Sequence, residues 1–312
     1  MIKISICIPT FNQPKSLELL LNAIFEQLVD NLEVIICDDS DNNLSSLVVQ
    51  KYSSLLDIKY LKRDRLGLDR ALIDLVNISQ GEYIWWIGDD IILPGALNRI
   101  NEFLLSFKPD FLWLNSYEIE DPENITFKID NNIITNDPND LLEFGLGLLG
   151  FISSTIFKKS LVNDCIKDAE EHVGTAWVCL YLILKVISSH GKLAIFSEPC
   201  FMSYQTKSGV DRWYDKFQVF ALNLFDIVDI FKSDLKGKNL KNALDLNLRQ
   251  ILNAILVERA MGYSNGFASN EIRILELIKR YNLHSILWIY IPLLFLPRKI
   301  LSKLYVFYKL TR

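Results

Sequence analysis

Two adjacent carboxylates, Asp89 and Asp90, close the run GEYIWWIGDD, in which apolar and aromatic residues lead directly into like charges. Neighbouring carboxylates repel one another, and ionising both beside a core is costly unless a cation or hydrogen-bond donors offset them. A divalent ion with oxygen ligands does so, because Mg2+ or Mn2+ is usually held by one or two carboxylates plus the phosphate oxygens of a substrate. Such an ion stabilises the charge that builds on a departing diphosphate, which points to group transfer from a nucleotide-activated donor. An isolated acid pair also starts turns and caps helices, and Pro94 and Gly95 fit that plainer reading. The pair takes its meaning from what the rest of the chain brings to it.

The elements that must position these acids are legible in the pattern. KISICI, residues 3 to 8, is a short β-rich run stopped by Pro9, and residues 16 to 28 repeat apolar side chains at helical spacing. LEVIICDDS (32 to 40) predicts a second buried strand ending in acids, residues 44 to 55 a helix, IKYLKR (58 to 63) a third strand, and residues 69 to 79 a further helix before the strand 83 to 87. Strands alternating with helices of this length predict an α/β fold with a mostly parallel sheet and helices on both faces. Ligands of such sheets bind beyond the carboxyl ends of the strands. Thr10 with Asn12, Asp38 with Asp39, and Asp89 with Asp90 all lie at predicted strand ends, so one cleft can collect them.

Beyond Pro94 the pattern predicts a helix over 96–106, a strand over 110–115, a polar loop or short hairpin over 121–140, a buried helix over 175–189 and a strand over 192–199. From about Arg212 it is almost wholly helical. SILWIYIPLLFLP (285 to 297) carries no charge and is followed by Arg298, Lys299, Lys303, Lys309 and Arg312 with no acid among them. A bilayer-spanning helix needs roughly 20 apolar residues, and this run is shorter and holds Pro292. An interfacial helix or hairpin fits, with Trp288, Tyr290 and Tyr305 at headgroup level and the cations toward anionic lipid. A last core helix or an oligomer contact is the alternative.

With 312 residues, half of them apolar, the chain can bury a sizeable core, and its net charge of −5 offers no basic field to gather nucleic acid. The five cysteines are scattered in apolar runs without a CxxC pair, as reduced core residues of a cytosolic protein would be. The N-terminus reads as a strand rather than a secretion signal.

ISICIPTFN, LEVIICDDS and GEYIWWIGDD, in this order and spacing, resemble the nucleotide-sugar half of the large inverting GT-A glycosyltransferase family (glycosyltransferase family 2-like), whose first strand reads V-S-[IV]-[IV]-[IV]-P-T-[FY]-N. LGLDRALIDLVNISQGEYIWWIGDD (66 to 90) is similar to the abequosyltransferase-like branch, which builds bacterial O-antigen or related surface polysaccharide. The resemblance is strong over residues 1 to 120, weaker to 205 and absent beyond.

It implies that Pro9, Thr10 and Asn12 line the nucleotide pocket, and that Asp39 accepts from the base with Asp38 beside it. It also implies that the stretch from Gly67 to Arg70 approaches the donor, with Asp69 and Arg70 near sugar or diphosphate. Asp90 is the implied metal ligand, with Asp89 toward ribose or the Mg2+ or Mn2+. The commoner motif is D-x-D-D, and here Ile87 and Gly88 precede the two acids, so the first carboxylate is missing. The family's general base, an acid before a Trp-containing helix, is also replaced, by Thr175 and Ala176 before Trp177. Glu170, Glu171 and His172 are the nearest groups able to accept a proton near pH 7. Lys207 and Arg212 lie where relatives close a loop over the diphosphate.

The expectation is a GT-A domain over residues 1–205, a helical extension over 206–282 and a membrane-surface anchor over 283–312. Its partners would be a nucleoside-diphosphate sugar, a lipid-linked saccharide acceptor and the inner face of the cell membrane, not nucleic acid. A nucleotidyltransferase is a rival, although PTFNQPKS lacks the glycines of a phosphate loop. A non-catalytic, membrane-docked subunit of a polysaccharide assembly complex is another.

Overall fold

In the computed structural model, which describes residues 3–27, 29–88, 90–117, 124–142, 145–189, 191–203, 215–235, 238–262 and 271–310, the run ISICIPT is a fully buried strand, β1 (Ile4–Thr10). It is flanked in parallel by β2 (Leu32–Asp38) and β4 (Tyr83–Trp86), and β3 (Ile58–Lys62) lies outside β2. The register sets Thr10 opposite Asp38 and Asp38 opposite Lys62, so polar side chains stand level along the carboxyl edge.

The sheet order is β3-β2-β1-β4, followed by β8 (Thr155–Lys158), β6 (Phe111–Tyr117), β9 (Leu193–Ser203) and β5 (Asp90–Ile92). In its second half β6 and β9 are parallel to each other, while β8 runs antiparallel between β4 and β6. β5 pairs antiparallel with β9, and β7 (Ile133–Thr135), inside the polar stretch, also joins β9. β5, β7 and β8 have only three or four residues each and pair with strands distant in sequence.

Alternation along the strands explains the two-sided core. Ile4, Ile6 and Ile8 share one cluster with Tyr83, Trp85 and Ile87 and with the helices α1 (Pro14–Phe25) and α4 (Ala96–Phe107). On α1 the buried side chains Leu17, Leu20, Leu21 and Ile24 follow helical spacing, and full burial of each contributes about 1.5–3 kcal/mol. Pro14 begins this helix where its missing N–H has no partner to lose. On the other face Cys7 Sγ donates to the Leu75 carbonyl of α3 (Leu68–Ile78). A shorter helix, α2 (Leu44–Tyr52), packs beside α1, and α5 (Val178–Ile187) is buried almost throughout. Gly81 admits no side chain, since a Cβ there would lie 2.5 Å from Ser5 Oγ and 2.7 Å from the Ser5 nitrogen.

At the amino end of these strands Glu33 is fully buried. It accepts from Ser5 Oγ at 2.5 Å, the Gln80 N–H at 2.6 Å and Lys59 Nζ at 2.8 Å. Burial alone would raise its pKa, but Lys59, Ser5 and the Gln80 N–H outweigh that and lower it to about 2.

The chain divides into two units, Met1–Leu141 with Gly147–Gly209 and Leu142–Leu146 with Val210–Arg312. The second is helical, with α6 (Leu224–Ile230), α7 (Lys238–Met261), α8 (Glu271–Tyr281), α9 (Ser285–Leu294) and α10 (Arg298–Leu310). Both α9 and α10 pack on α7. No single described helix is long and apolar enough to cross a membrane, but α9 and residues 298–306 of α10, bent by 110°, reach that length and composition together. Trp288, Ile289, Phe295, Ile300, Leu304 and Val306 are exposed on this pair.

Candidate active site

The first loop leaves β1 at Thr10 and turns at Asn12, whose φ of 54° is a left-handed conformation that Asn tolerates better than most residues. The Asn12 N–H donates to Ser40 Oγ at 2.8 Å, its amide donates to Asp41 at 3.0 Å, and its oxygen accepts from the Asp41 N–H at 3.1 Å. The Asp39 N–H donates to the Thr10 carbonyl at 3.0 Å. These contacts weld the loop after β1 to the loop after β2. Pro9 is buried within β1, and Thr10 Oγ1 is buried without a hydrogen-bond partner among the described residues.

Asp38 and Asp39 face different partners. Asp38 accepts from Tyr60 Oη at 2.6 Å, the Ser40 N–H at 2.8 Å and Lys62 Nζ at 3.2 Å. Burial would raise its pKa, yet the Ser40, Tyr60 and Lys62 donors hold it below the ordinary value. Asp39 accepts hydrogen bonds from Arg63 Nε at 2.9 Å and from the Gly67 N–H at 2.8 Å, and Arg63 Nη2 lies in ion-pair contact with it at 2.7 Å. Gly67 has φ 85°, a backbone state that costs glycine little and other residues more, and this state aims its N–H at the carboxylate. A cavity of about 640 Å³ opens here, lined by Asp39, Ser40, Asp41, Lys62, Arg63 and Arg65 among others. The Arg65 guanidinium lies over the Phe11 ring at 4.5 Å.

From Asp39 an ion-pair chain runs through the unit. Arg63 Nη1 reaches Asp74 at 2.6 Å, Asp74 reaches Arg70 Nε at 3.4 Å, and Arg70 Nη1 reaches Glu170 at 3.2 Å. The predicted donor residue Arg70 and candidate base Glu170 are therefore joined directly.

Asp69 is turned toward the turn before α5. Its carboxylate accepts from the N–H groups of Ala176 at 2.8 Å, Gly174 at 2.9 Å and Val178 at 3.3 Å, so it caps that helix from a distant part of the chain. Burial raises its pKa above the ordinary carboxylate value, opposed by those three donors. Gly174 (φ 93°) and Ala176 (φ 65°) both lie in the left-handed region, which is strained for alanine. The turn that lacks the acid expected before Trp177 is held in shape by Asp69.

His172 lies against Tyr181 with ring centroids 4.5 Å apart and the ring planes tilted by 46°. Burial lowers its pKa below the ordinary histidine value, with Glu171, Asp168 and Asp69 acting against the shift. Glu171 is exposed.

Asp90 begins β5 and is mostly buried. Ser153 Oγ donates to Asp90 Oδ2 and accepts from the Gly88 N–H at 3.1 Å. Asp89, Lys207 and Arg212 lie outside the described residues.

The sequence reading missed Tyr60, Lys62, Arg63, Asp74 and Ser153. For Lys62 and Arg63 a signal was present: the third strand ends in KRDR beside a strand that ends in CDDS, and parallel pairing sets those charges against each other. Ser153 carried no such mark.

A model of the family "Glycosyl transferase family 2" matches residues 5–165. The chain is 26% identical over 209 residues to abequosyltransferase RfbV of Salmonella typhimurium, covering 61% of this chain and 62% of that protein. It is 29% identical over 123 residues to the poly(ribitol-phosphate) beta-N-acetylglucosaminyltransferase TarP of Staphylococcus aureus, covering 38% of this chain and 37% of TarP. The chain thus spans less than two thirds of either relative. Among solved structures, S. aureus TarS 1-349 in complex with UDP superposes with a TM-score of 0.64 at 15% identity, over 97% of this chain and 91% of that one. Mannosyltransferase PcManGT from Pyrobaculum calidifontis in complex with GDP-Man and Mn2+ gives 0.54 at 16% identity, over 94% and 86%. At these identities the superpositions speak for the fold.

Proposed function

The chain belongs to glycosyl transferase family 2 and has the GT-A fold, and from that premise we propose that it is a glycosyltransferase that moves a sugar from a nucleoside-diphosphate sugar to a hydroxyl of a lipid-linked saccharide during synthesis of a bacterial surface polysaccharide. The observation that carries this reading is Asp39, held by Arg63 and the Gly67 N–H on the wall of a cavity at the carboxyl ends of the parallel strands. The UDP and GDP-Man bound by the structural neighbours, and the abequosyltransferase among the relatives, support the donor class and the polysaccharide setting.

In this reading Pro9, Thr10 and Asn12 shape the nucleotide pocket, and the unpartnered Thr10 hydroxyl suits a polar ligand atom. Asp39 accepts from the base, and Gly67 and Arg70 stand on the donor side. Asp69 serves as the brace of the acceptor-side turn. Among the candidate bases, Glu170 is paired with Arg70 and Glu171 is exposed, whereas His172 is partly shielded and kept neutral, the form that accepts a proton.

Metal dependence belongs to the same reading. Among the described residues no group of three His, Cys, Asp or Glu side chains gathers to hold an ion. A single hard carboxylate such as Asp90 fits Mg2+ or Mn2+ when the diphosphate of the donor completes the shell. Asp89 is assigned to the same site or to ribose, and Lys207 and Arg212 to the diphosphate. The ion, when bound, would neutralise charge on the leaving diphosphate.

Membrane docking through α9 and α10 fits a lipid-linked acceptor. Residues 277–312 hold seven Lys and Arg and no acid, so this segment is +7 while residues 1–276 carry the remaining −12 of the net −5. That polarity, together with the exposed Trp288, Ile289 and Phe295, suits the surface of an anionic bilayer at the cytoplasmic face.

The deciding experiment is a thermal-shift screen of UDP, GDP, CDP and dTDP with and without Mn2+, followed by donor hydrolysis. A selective, metal-dependent rise in the unfolding midpoint identifies the donor. No shift with any nucleotide overturns the donor assignment.

A further inference from the structure

Ser153, in the turn 152–154, contacts both Gly88 and Asp90. Ser153 is fully buried, and its hydroxyl makes two contacts with groups that flank position 89: it donates to Asp90 Oδ2 and accepts from the Gly88 N–H at 3.1 Å. A serine hydroxyl has one proton. With the Gly88 N–H pointed at its oxygen, that proton is directed to the carboxylate. The backbone of Ser153 is anchored as well, because its carbonyl accepts from Trp85 Nε1 at 2.9 Å. The hydroxyl is thus fixed from the strand on one side and fixes the acid on the other.

We propose that Ser153 is a positioning residue for Asp90, making up for the absent first acid of the motif by tying the Asp90 carboxylate to the Gly88 N–H through a neutral hydroxyl. The inference rests on the metal-dependent reading of Asp90 given above. A second carboxylate at Ile87 would have constrained an ion by adding charge. The hydroxyl instead constrains the orientation of the one carboxylate and leaves the site less negative, so the ion is held mainly when a diphosphate is present with it.

The test titrates Mn2+ into the full chain, alone and with inorganic pyrophosphate, and reads free Mn2+ by its electron paramagnetic resonance signal. Pyrophosphate is chosen because it presents the diphosphate without a base. Wild type is expected to bind Mn2+ more tightly with pyrophosphate than without. Ser153→Ala is expected to weaken that binding about tenfold or more, as loss of a hydrogen bond to a charged group does. Ser154→Ala, in the same turn, is expected to leave it unchanged. If Ser153→Ala does not fold, as judged by its unfolding transition, Ser153→Cys replaces it, with a similar volume and a weak donor. Wild-type affinity in the folded Ser153 variant overturns the role of Ser153 and leaves the metal reading intact. Equal loss in the Ser154 variant also overturns it. Absence of Mn2+ binding in wild type overturns both.

Discussion

The Arg63 guanidinium lies between two carboxylates, 2.7 Å from Asp39 Oδ1 through Nη2 and 2.6 Å from Asp74 Oδ2 through Nη1, with only 5% of the side chain exposed. Removing a buried partner leaves charge uncompensated, at a cost of about 3–5 kcal/mol. Arg63→Gln is therefore expected to lower stability by about that amount in urea unfolding and to weaken nucleotide binding. In a double-mutant cycle, Arg63→Gln with Asp39→Asn is expected to lose at least about 1 kcal/mol less than the sum of the single changes. Strict additivity would show that the two side chains do not act together.

For His172, burial depresses the pKa, so the neutral base is already formed below the ordinary histidine value of about 6.5. Transfer activity is expected to rise with pH through a midpoint under that value and then level off. His172→Ala is expected to lower kcat by about 10²–10⁴-fold and to abolish that limb. A variant that keeps the limb would move the base assignment to Glu170 or Glu171.

Glu33 gives a pH dependence of stability with a definite sign. Its folded pKa of about 2 lies below the ordinary 4.5, so the stabilisation is complete above the unfolded value and is lost as pH falls from about 4.5 toward 2. Thermal unfolding across that window is expected to show a falling midpoint in wild type. Glu33→Gln is expected to flatten part of that fall and to cost about 2 kcal/mol near neutrality. A wild-type midpoint that stays level from pH 5 to pH 2 would refute the assignment.

Docking through the C-terminal helices predicts binding to vesicles that contain phosphatidylglycerol but only weak binding to pure phosphatidylcholine. Lys299→Glu with Lys303→Glu reverses two exposed charges on α10. At about 1 kcal/mol per cation near an anionic surface, affinity is expected to fall by well over tenfold, and high salt should weaken wild type likewise. Binding insensitive to both changes would mean that the surface serves another purpose.

The parallel half of the sheet was legible because its strands alternate with helices of clear periodicity; β1 and β2 are seven-residue, mostly buried runs, and the shorter β3 and β4 are marked by the helices before them. β5 and β8 were not legible, since they have only three and four residues and their pairing is decided by distant β9 and β6. The same division holds in the site. Asp39 was readable as an acid at a strand end, whereas Asp90 opens the three-residue β5 instead of closing β4; the direction of the Asp69 side chain was not readable, because its partners are main-chain N–H groups more than a hundred residues away. Main-chain donors leave no trace in residue type. Ser153 was hidden for a related reason: a buried serine in an apolar run looks like filler until the fold brings it against a carboxylate.

Among the described strands β3 stands last in the sheet, bonded to β2 alone. An outermost strand exposes a row of unpaired main-chain groups on which another chain can template itself, and proteins discourage this with short strands and lysines. β3 has five residues, and two of them are Lys59 and Lys62. The cations that steady Glu33 and Asp38 inside the molecule thereby also guard its border against growth into a larger sheet, so a change that neutralises either one trades internal order and colloidal behaviour together.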